Sequence, residues 1–170
     1  MSEMRLVISP PAGWRVWIKD ATLATFVPAE TPTPIPGVGP NLRAELLVTS
    51  NLIRDRRLPK EQLGDPNKTS LLTWMDSGTK IVRIQKVGVF DSGNFGELPI
   101  WLIQGEGYSY YLVLIVTDEV EVEVALRSEN RAFTGKEDPR LGTTRVLQEL
   151  ESRLGALKEL VRSMRLVKAG

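Results

Sequence analysis

The amino-acid sequence predicts a single α+β domain in which helices pack on an antiparallel β-sheet. Two alternating segments near the start predict strands, four more predicted strands follow residue 79, and a long amphipathic segment at the end predicts a helix. A chain of 170 residues is long enough to bury a sizeable core without disulfides or structural metals. We therefore expect residues 1–170 to form one domain, with a proline-rich loop at 28–40.

The first two predicted strands are "MRLVIS" (residues 4–9) and "WRVWIKD" (residues 14–20). Between them, "PPAGW" (residues 10–14) has the composition of a turn, because proline ends a strand and glycine accepts a positive φ. We interpret the three segments as an early hairpin, with Trp14 anchored in the core. The alternative is that "PPAGW" binds a ligand.

A short strand at 23–28 leads into the proline-rich loop, whose prolines favour an extended course over the surface. A polyproline ligand for a partner is the functional alternative, but no two of these prolines have the PxxP spacing. The glycines of this loop do not complete a dinucleotide-binding GxGxxG motif, since Leu42 occupies the third glycine position. Strand character returns at 42–53.

Residues 54–79 predict a polar loop followed by a helix. The basic cluster of the loop consists of Arg54, Arg56, Arg57 and Lys60. No aromatic residue lies between them, so the cluster is more typical of a solvated loop than of a phosphate site. The segment 69–78 predicts a short helix that ends at Gly78.

The next four strands predict an antiparallel meander at 80–90, 98–108, 109–117 and 120–127. Gly88 interrupts the alternation of the first of these and indicates a β-bulge. The third is apolar at nearly every position, which is typical of a strand covered on both faces.

The fourth strand alternates valines with Glu119, Glu121 and Glu123, so we expect one of its faces to meet water. Glutamates that project from a strand also discourage edge-to-edge pairing. We prefer that role for them to a metal site.

The last predicted element is a helix at 143–167, after a loop at 128–142. Its apolar residues recur at spacings of three and four and form one stripe, which is suited to docking on a sheet. They are Leu147, Leu150, Leu154, Leu157, Val161 and Met164. The final "RLV" of this segment is a candidate for leaving the helix and extending.

The composition argues against several kinds of chemistry. There is no cysteine and no histidine, which removes thiolate and imidazole nucleophiles, bases and metal ligands. The net charge of +1 is far from that of a typical nucleic-acid-binding protein. No apolar window has the length of a membrane span, and the N-terminus lacks a signal-peptide core. We expect a soluble, cytoplasmic protein, or a periplasmic one if a leader before Met1 was removed.

Several stretches of the chain, taken together, resemble one known superfamily. They are "PPAGW", "FVP", "NLRAELLVTS", "GELPIWLIQGEGY" and "LGALKELVRSMRLV", within residues 5–167. In this combination the chain resembles the PsbP-like superfamily, which includes the photosystem II extrinsic subunit, a Ran-binding nuclear import factor, DcrB-like bacterial lipoproteins and the Eag chaperones. The resemblance implies an antiparallel sheet sandwiched by helices, and a binding or assembly role without catalytic residues.

We therefore expect a non-enzymatic protein-binding, adaptor or chaperone-like module without a cofactor or metal. Its candidate contact residues are Trp101, Tyr108, Tyr110 and Tyr111. Tyrosine and tryptophan suit interfaces because they bury large areas with little loss of entropy. The alternative is that the four are core or ordinary sheet-surface residues. The chaperone branch of the superfamily implies a groove for apolar helices of a client, and a homodimer.

Two other classes of function stay open. A small-molecule-binding protein or a carboxylate-based enzyme would use paired acidic residues as acid and base. The candidates are Asp76, Asp91, Glu97 and Glu106. Nucleic-acid binding would use the basic cluster and the basic end residues, but the near-neutral charge disfavours it. These end residues are Arg162, Arg165 and Lys168.

Overall fold

The computed structural model describes residues 4–19, 23–31, 44–52, 63–68, 81–105, 107–129 and 139–168. The strands in these ranges are β1 (Met4–Val7), β2 (Trp14–Lys19), β3 (Leu23–Pro28), β4 (Glu45–Leu52), β5 (Ile81–Asp91), β6 (Glu97–Gly105), β7 (Tyr108–Val116), β8 (Val120–Glu129) and β9 (Arg165–Lys168). The helices are α1 (Pro139–Ser152) and α2 (Leu154–Ser163), and a short 3₁₀ helix covers Pro66–Lys68.

Seven of the strands form one antiparallel sheet in the order β2-β3-β4-β8-β7-β6-β5. Its second half is the predicted meander, and α1 and α2 pack against the central strands β7 and β8. The predicted α+β class, with helices on an antiparallel sheet, is confirmed. The register of β5 against β6 shifts between Lys86 and Gly88, which confirms the predicted bulge.

The early hairpin of the prediction is wrong in its pairing. β1 pairs with β9 in a separate two-stranded sheet, and β2 pairs with β3 at one edge of the large sheet. The connection between β1 and β2 is tied to α2: the Ala12 N–H donates to Oε1 of Glu159 at 3.1 Å. Gly13, at a φ of +80°, then turns the chain towards the large sheet. "PPAGW" is therefore a crossover between two sheets.

The predicted C-terminal helix is two helices, because the chain breaks at Arg153, where φ is −106° and ψ is 4°. The Arg153 side chain is held there: its Nε donates to Oε1 of Glu149 at 2.7 Å, and its guanidinium lies 5.8 Å from the Trp14 ring centroid. After α2 the chain extends as β9, as the sequence suggested for "RLV". The two ends of the predicted loop at 128–142 belong to regular elements, since β8 reaches Glu129 and α1 begins at Pro139.

The main core lies between the two helices and one face of the large sheet, which we call the first face. Four residues of the predicted helical stripe are fully buried in it, while Leu147 and Leu154 are partly buried. The four are Leu150, Leu157, Val161 and Met164. Each buried side chain of this size stabilises the fold by about 1.5–3 kcal/mol.

The opposite, second face of the sheet is also buried along the central strands, where Leu47, Leu112 and Ala125 form part of a second apolar cluster. The prediction that one face of the fourth meander strand meets water is wrong, because Glu121 and Glu123 are 1% and 0% exposed. β8 lies between β4 and β7, so its glutamates do not protect an edge. Part of the cover comes from residues 63–68, since the Gly64 N–H donates to Oε2 of Glu121 at 3.4 Å.

Three predicted features lie outside the described residues. They are the helix at 69–78, the proline-rich loop beyond Thr31 and the basic cluster at 54–60.

Candidate functional site

The four candidate aromatic residues are divided between the two faces of the sheet. Tyr111 lies on the first face with α1 and α2 and is 8% exposed. Trp101, Tyr108 and Tyr110 lie on the second face, but Tyr110 is fully buried. Only Trp101 and Tyr108 are half-buried, so these two alone present ring surface outside the core.

Trp101 and Tyr108 flank a buried row of side chains. In the register of β6 and β7, Ile103 lies opposite Tyr110, and both are fully buried. Trp101 precedes this row by two residues on β6, and Tyr108 precedes Tyr110 by two residues on β7. Because the strands are antiparallel, the two rings lie on opposite sides of the row, with Cα atoms roughly 14 Å apart. The four residues predicted as one site therefore do not form a single cluster.

Tyr108 is held by a charged pair. The guanidinium carbon of Arg127 lies 4.6 Å from the centroid of the Tyr108 ring, a cation–π distance. Nε of Arg127 donates to Oε1 of Glu45, which lies directly opposite it in the pairing of β4 with β8. The side chains of Arg127 and Glu45 are 14% and 5% exposed. Ring, guanidinium and carboxylate thus form one ordered stack at the end of the second face.

Burial dominates the electrostatics of this stack. It raises the pKa of the Glu45 carboxyl above its usual value. The charge and the hydrogen bond of Arg127 offset this rise only in part, and the nearby Glu129 adds to it. On the first face, burial likewise raises the pKa of the Tyr111 phenol, with a smaller contribution from Glu151.

Trp101 lies beside the edge of the sheet. It is opposite Lys86 of β5, the last strand in the order, and Lys86 is exposed. Two valines of the same strand, Val87 and Val89, are 43% and 49% exposed. Trp101 is therefore next to exposed apolar surface, whereas Tyr108 is next to a charged pair.

Two of the four candidate carboxylates are brought together. Asp91 and Glu97 are opposite each other where β5 and β6 meet, but both are exposed. Oδ1 of Asp91 accepts a hydrogen bond from the Gly93 N–H at 2.8 Å, so it stabilises the turn. Asp76 and Glu106 lie outside the described residues. Within the described ranges, no group of three or more acidic residues is arranged to hold a metal ion.

The basic end residues lie at the end of α2 and in β9. Arg162 is engaged, because its Nε donates to the carbonyl oxygen of Asp91 at 3.0 Å and its guanidinium lies 5.6 Å from the Phe90 ring centroid. Arg165 and Lys168 are exposed. Among the described helices, none is long and apolar enough to cross a membrane.

The same architecture occurs in solved structures. A structure of a point mutant of the protein Mog1 superposes with a TM-score of 0.53 at 13% identity, covering 97% of this chain and 95% of that one. The Saccharomyces cerevisiae Ran-binding protein Mog1p superposes with a TM-score of 0.50 at 12% identity, with the same coverage of 97% and 95%. The chain has the PsbP-like fold. This confirms the fold that the resemblance implied. At 12–13% identity, the similarity to these structures shows the fold alone.

Comparison of the sequence itself gives no further relative. It matches no family model and no curated protein. The Arg127–Glu45 pair was missed by the sequence analysis. Its only signal is a charged residue at the start of one apolar strand and another near the end of a second.

Proposed function

We propose that this PsbP-like chain is a non-enzymatic protein-binding module of the adaptor or chaperone-like kind, and that its partner contacts Trp101 and Tyr108. The observation that carries the proposal is the ordered stack of Tyr108 on Arg127, with Arg127 paired to Glu45. Tyrosine, tryptophan and arginine are the residues that contribute most energy at protein interfaces.

Tyr108 is already fixed by Arg127 before a partner binds, and this favours a role in binding. A side chain that is already fixed loses less entropy on association, and immobilising a flexible one costs about 0.5–1.5 kcal/mol. Trp101 is half-buried and has the exposed valines of β5 beside it. A partner on the second face would therefore meet two half-buried rings, one beside apolar surface and one held by a charged pair.

The structural neighbours are compatible with this proposal. One is a Ran-binding protein by its name, so a chain of this fold binds a protein in at least that case. Tyr110, which is buried on the same face as the two rings, would support the surface from within. We include a cytoplasmic location and a homodimer in the proposal, as the chaperone branch of the superfamily implies.

The experiment is affinity capture from native cell extract with the full chain as bait. We expect a specific and saturable protein partner that is retained by the wild type and lost with the Trp101→Ala/Tyr108→Ala double variant. Val16→Ala is the matched control, because Val16 is 47% exposed on β2, at the opposite edge of the same sheet. Circular dichroism would check that both variants are folded.

Two results would contradict the proposal. If no protein is retained above background, the binding-module function fails. If a partner binds the double variant as well as the wild type, the function stands but its assignment to Trp101 and Tyr108 fails. Alanine at Tyr110 is not suitable for this test, since it would open a cavity in the core.

A further inference from the structure

β1 and β9 form a two-stranded ribbon, which we call the terminal ribbon, outside the large sheet. Its register pairs Arg5 with Val167, Leu6 with Leu166 and Val7 with Arg165. Leu6 packs against the main core, so the face that carries it points inwards. Successive side chains of a strand point to opposite faces. Arg5, Val7, Arg165 and Val167 therefore share the outer face.

The outer face of the terminal ribbon is open in the described structure. Val7 and Val167 are 42% and 40% exposed, and both arginines are exposed as well. These two valines belong to a small set of large apolar side chains that the described part of the chain leaves in solvent. The ribbon presents apolar surface that nothing in the described structure covers.

The charge of the ribbon is of one sign. Its eight residues include Arg5, Arg165 and Lys168 and no acidic residue, whereas the whole chain has a net charge of only +1. Neither Arg5 nor Arg165 forms an ion pair with any described residue. Other arginines are engaged: Arg127 and Arg153 pair with glutamates. Within the described structure, the two guanidinium groups of the ribbon are thus available for carboxylates from outside.

We propose that the outer face of the terminal ribbon binds an acidic, amphipathic segment of another protein. Arg5 and Arg165 are diagonal neighbours across the two strands, so their Cα atoms lie roughly 7–8 Å apart. Carboxylates two residues apart on an extended chain have a similar spacing of about 7 Å. Each guanidinium can bind a carboxylate through two parallel hydrogen bonds, and the valines on the other diagonal contact apolar side chains of the same segment.

The mixture of valine and arginine on the outer face favours an acidic protein segment over a nucleic acid or an anionic membrane as the ligand. Nucleic-acid binding is driven by phosphate contacts, to which exposed valines add nothing. Binding to an anionic membrane needs larger apolar groups that enter the lipid, such as tryptophan, phenylalanine and leucine. The outer face of the ribbon carries only valine and arginine among the residues paired above.

The test is selection of short random peptides, displayed on phage, against the immobilised full chain. We expect the selected peptides to be enriched in aspartate and glutamate at positions two residues apart, with apolar residues nearby. By fluorescence anisotropy, Arg5→Gln/Arg165→Gln should weaken their binding roughly tenfold or more, because two charge-assisted contacts are lost. Val7→Thr/Val167→Thr keeps the β-branched shape and should weaken binding by a smaller factor.

Two matched controls locate the site. Arg83→Gln/Arg145→Gln removes two exposed arginines elsewhere and should leave peptide binding unchanged, although the net charge falls equally. Trp101→Ala/Tyr108→Ala should also leave it unchanged, which separates the ribbon from the function proposed above. Melting temperatures would show that each variant is folded.

Several outcomes would overturn the inference. Selected peptides without acidic enrichment would do so, as would acidic peptides that depend on Trp101 and Tyr108. Stronger binding of a random DNA oligonucleotide or of phosphatidylserine vesicles through the same arginines would assign the ribbon to those ligands instead. A dimer in solution that Arg5→Gln/Arg165→Gln dissociates would show that a second copy of the chain covers this face.

Discussion

The two faces of the central strands are equally buried but differ in composition. On the first face, β8 contributes Val122, Val124 and Leu126 to the apolar core beneath α1 and α2. On the second face the same strand contributes Glu121, Glu123 and Arg127, which point the other way by the alternation of the strand. A shift of one residue along β8 thus separates a purely apolar core from a face where buried charges lie among apolar side chains.

The difference teaches that burial alone does not tell how a face is stabilised. Apolar side chains gain roughly 25 cal/mol per Å² removed from water, whatever their neighbours. A buried carboxylate loses hydration worth several kcal/mol, which only specific partners can offset. Substitutions on the first face should therefore destabilise the protein according to the side-chain volume they remove. Substitutions on the second face should destabilise it when they remove the partner of a buried charge.

The largest effect is expected on the first face. Leu150→Ala removes a fully buried side chain between α1 and the sheet, and we expect the free energy of unfolding to fall by about 4 kcal/mol. Urea unfolding followed by circular dichroism would measure this. As a control, Leu147→Ala on the same helix, at a partly buried position, should cost less. Equal losses at both positions would contradict this account of the core.

A smaller loss is expected on the second face. Arg127→Met should lower the free energy of unfolding by about 3 kcal/mol, because it leaves the carboxylate of Glu45 buried without this partner. Glu45→Gln in the same chain should recover a large part of that loss, since the uncompensated charge is then gone. A double-mutant cycle would measure the coupling. Strictly additive effects would show that the pair is not energetically linked.

The smallest effect concerns pH. Since the folded-state pKa of Glu45 is raised, its contribution to stability is fully present below the usual value of 4.5 and is lost as pH rises through the folded pKa. Carboxyl-detected NMR should show Glu45 titrating above that value. The free energy of unfolding of the wild type, compared with that of Glu45→Gln, should fall as pH rises from 4.5 through the folded-state pKa of Glu45. A folded-state pKa below 4.5 would reverse the sign of this pH dependence, and one equal to 4.5 would abolish it.

The sequence predicted what depends on local pattern. The spacing of Leu150, Leu157 and Val161 identified the face of the helices that docks on the sheet. The same spacing continues across Arg153, so it carried no signal of the break between α1 and α2. At the break, Arg153 lies over the ring of Trp14, which is distant in the sequence.

What the sequence could not predict depends on neighbours. The alternation of β8 was correct, but its central position, which buries Glu121 and Glu123, follows from pairing with β4 across about seventy residues of chain. Among the candidate site residues, aromatic composition alone did not separate Trp101 and Tyr108 from the buried Tyr110 and Tyr111. Whether an aromatic side chain is buried depends on which elements cover its strand, and the local sequence does not show this.

The terminal ribbon also constrains how the chain can be cut and rejoined. Met4 and Lys168 are paired residues, so these two points of the chain lie side by side in the folded protein. A short turn that joins residue 168 to residue 4 would convert β9 and β1 into an ordinary hairpin, and closure of the ribbon would become a local event. In the natural connectivity this pairing spans more of the sequence than any other described strand pair, and it can form only after residue 168 has been synthesised.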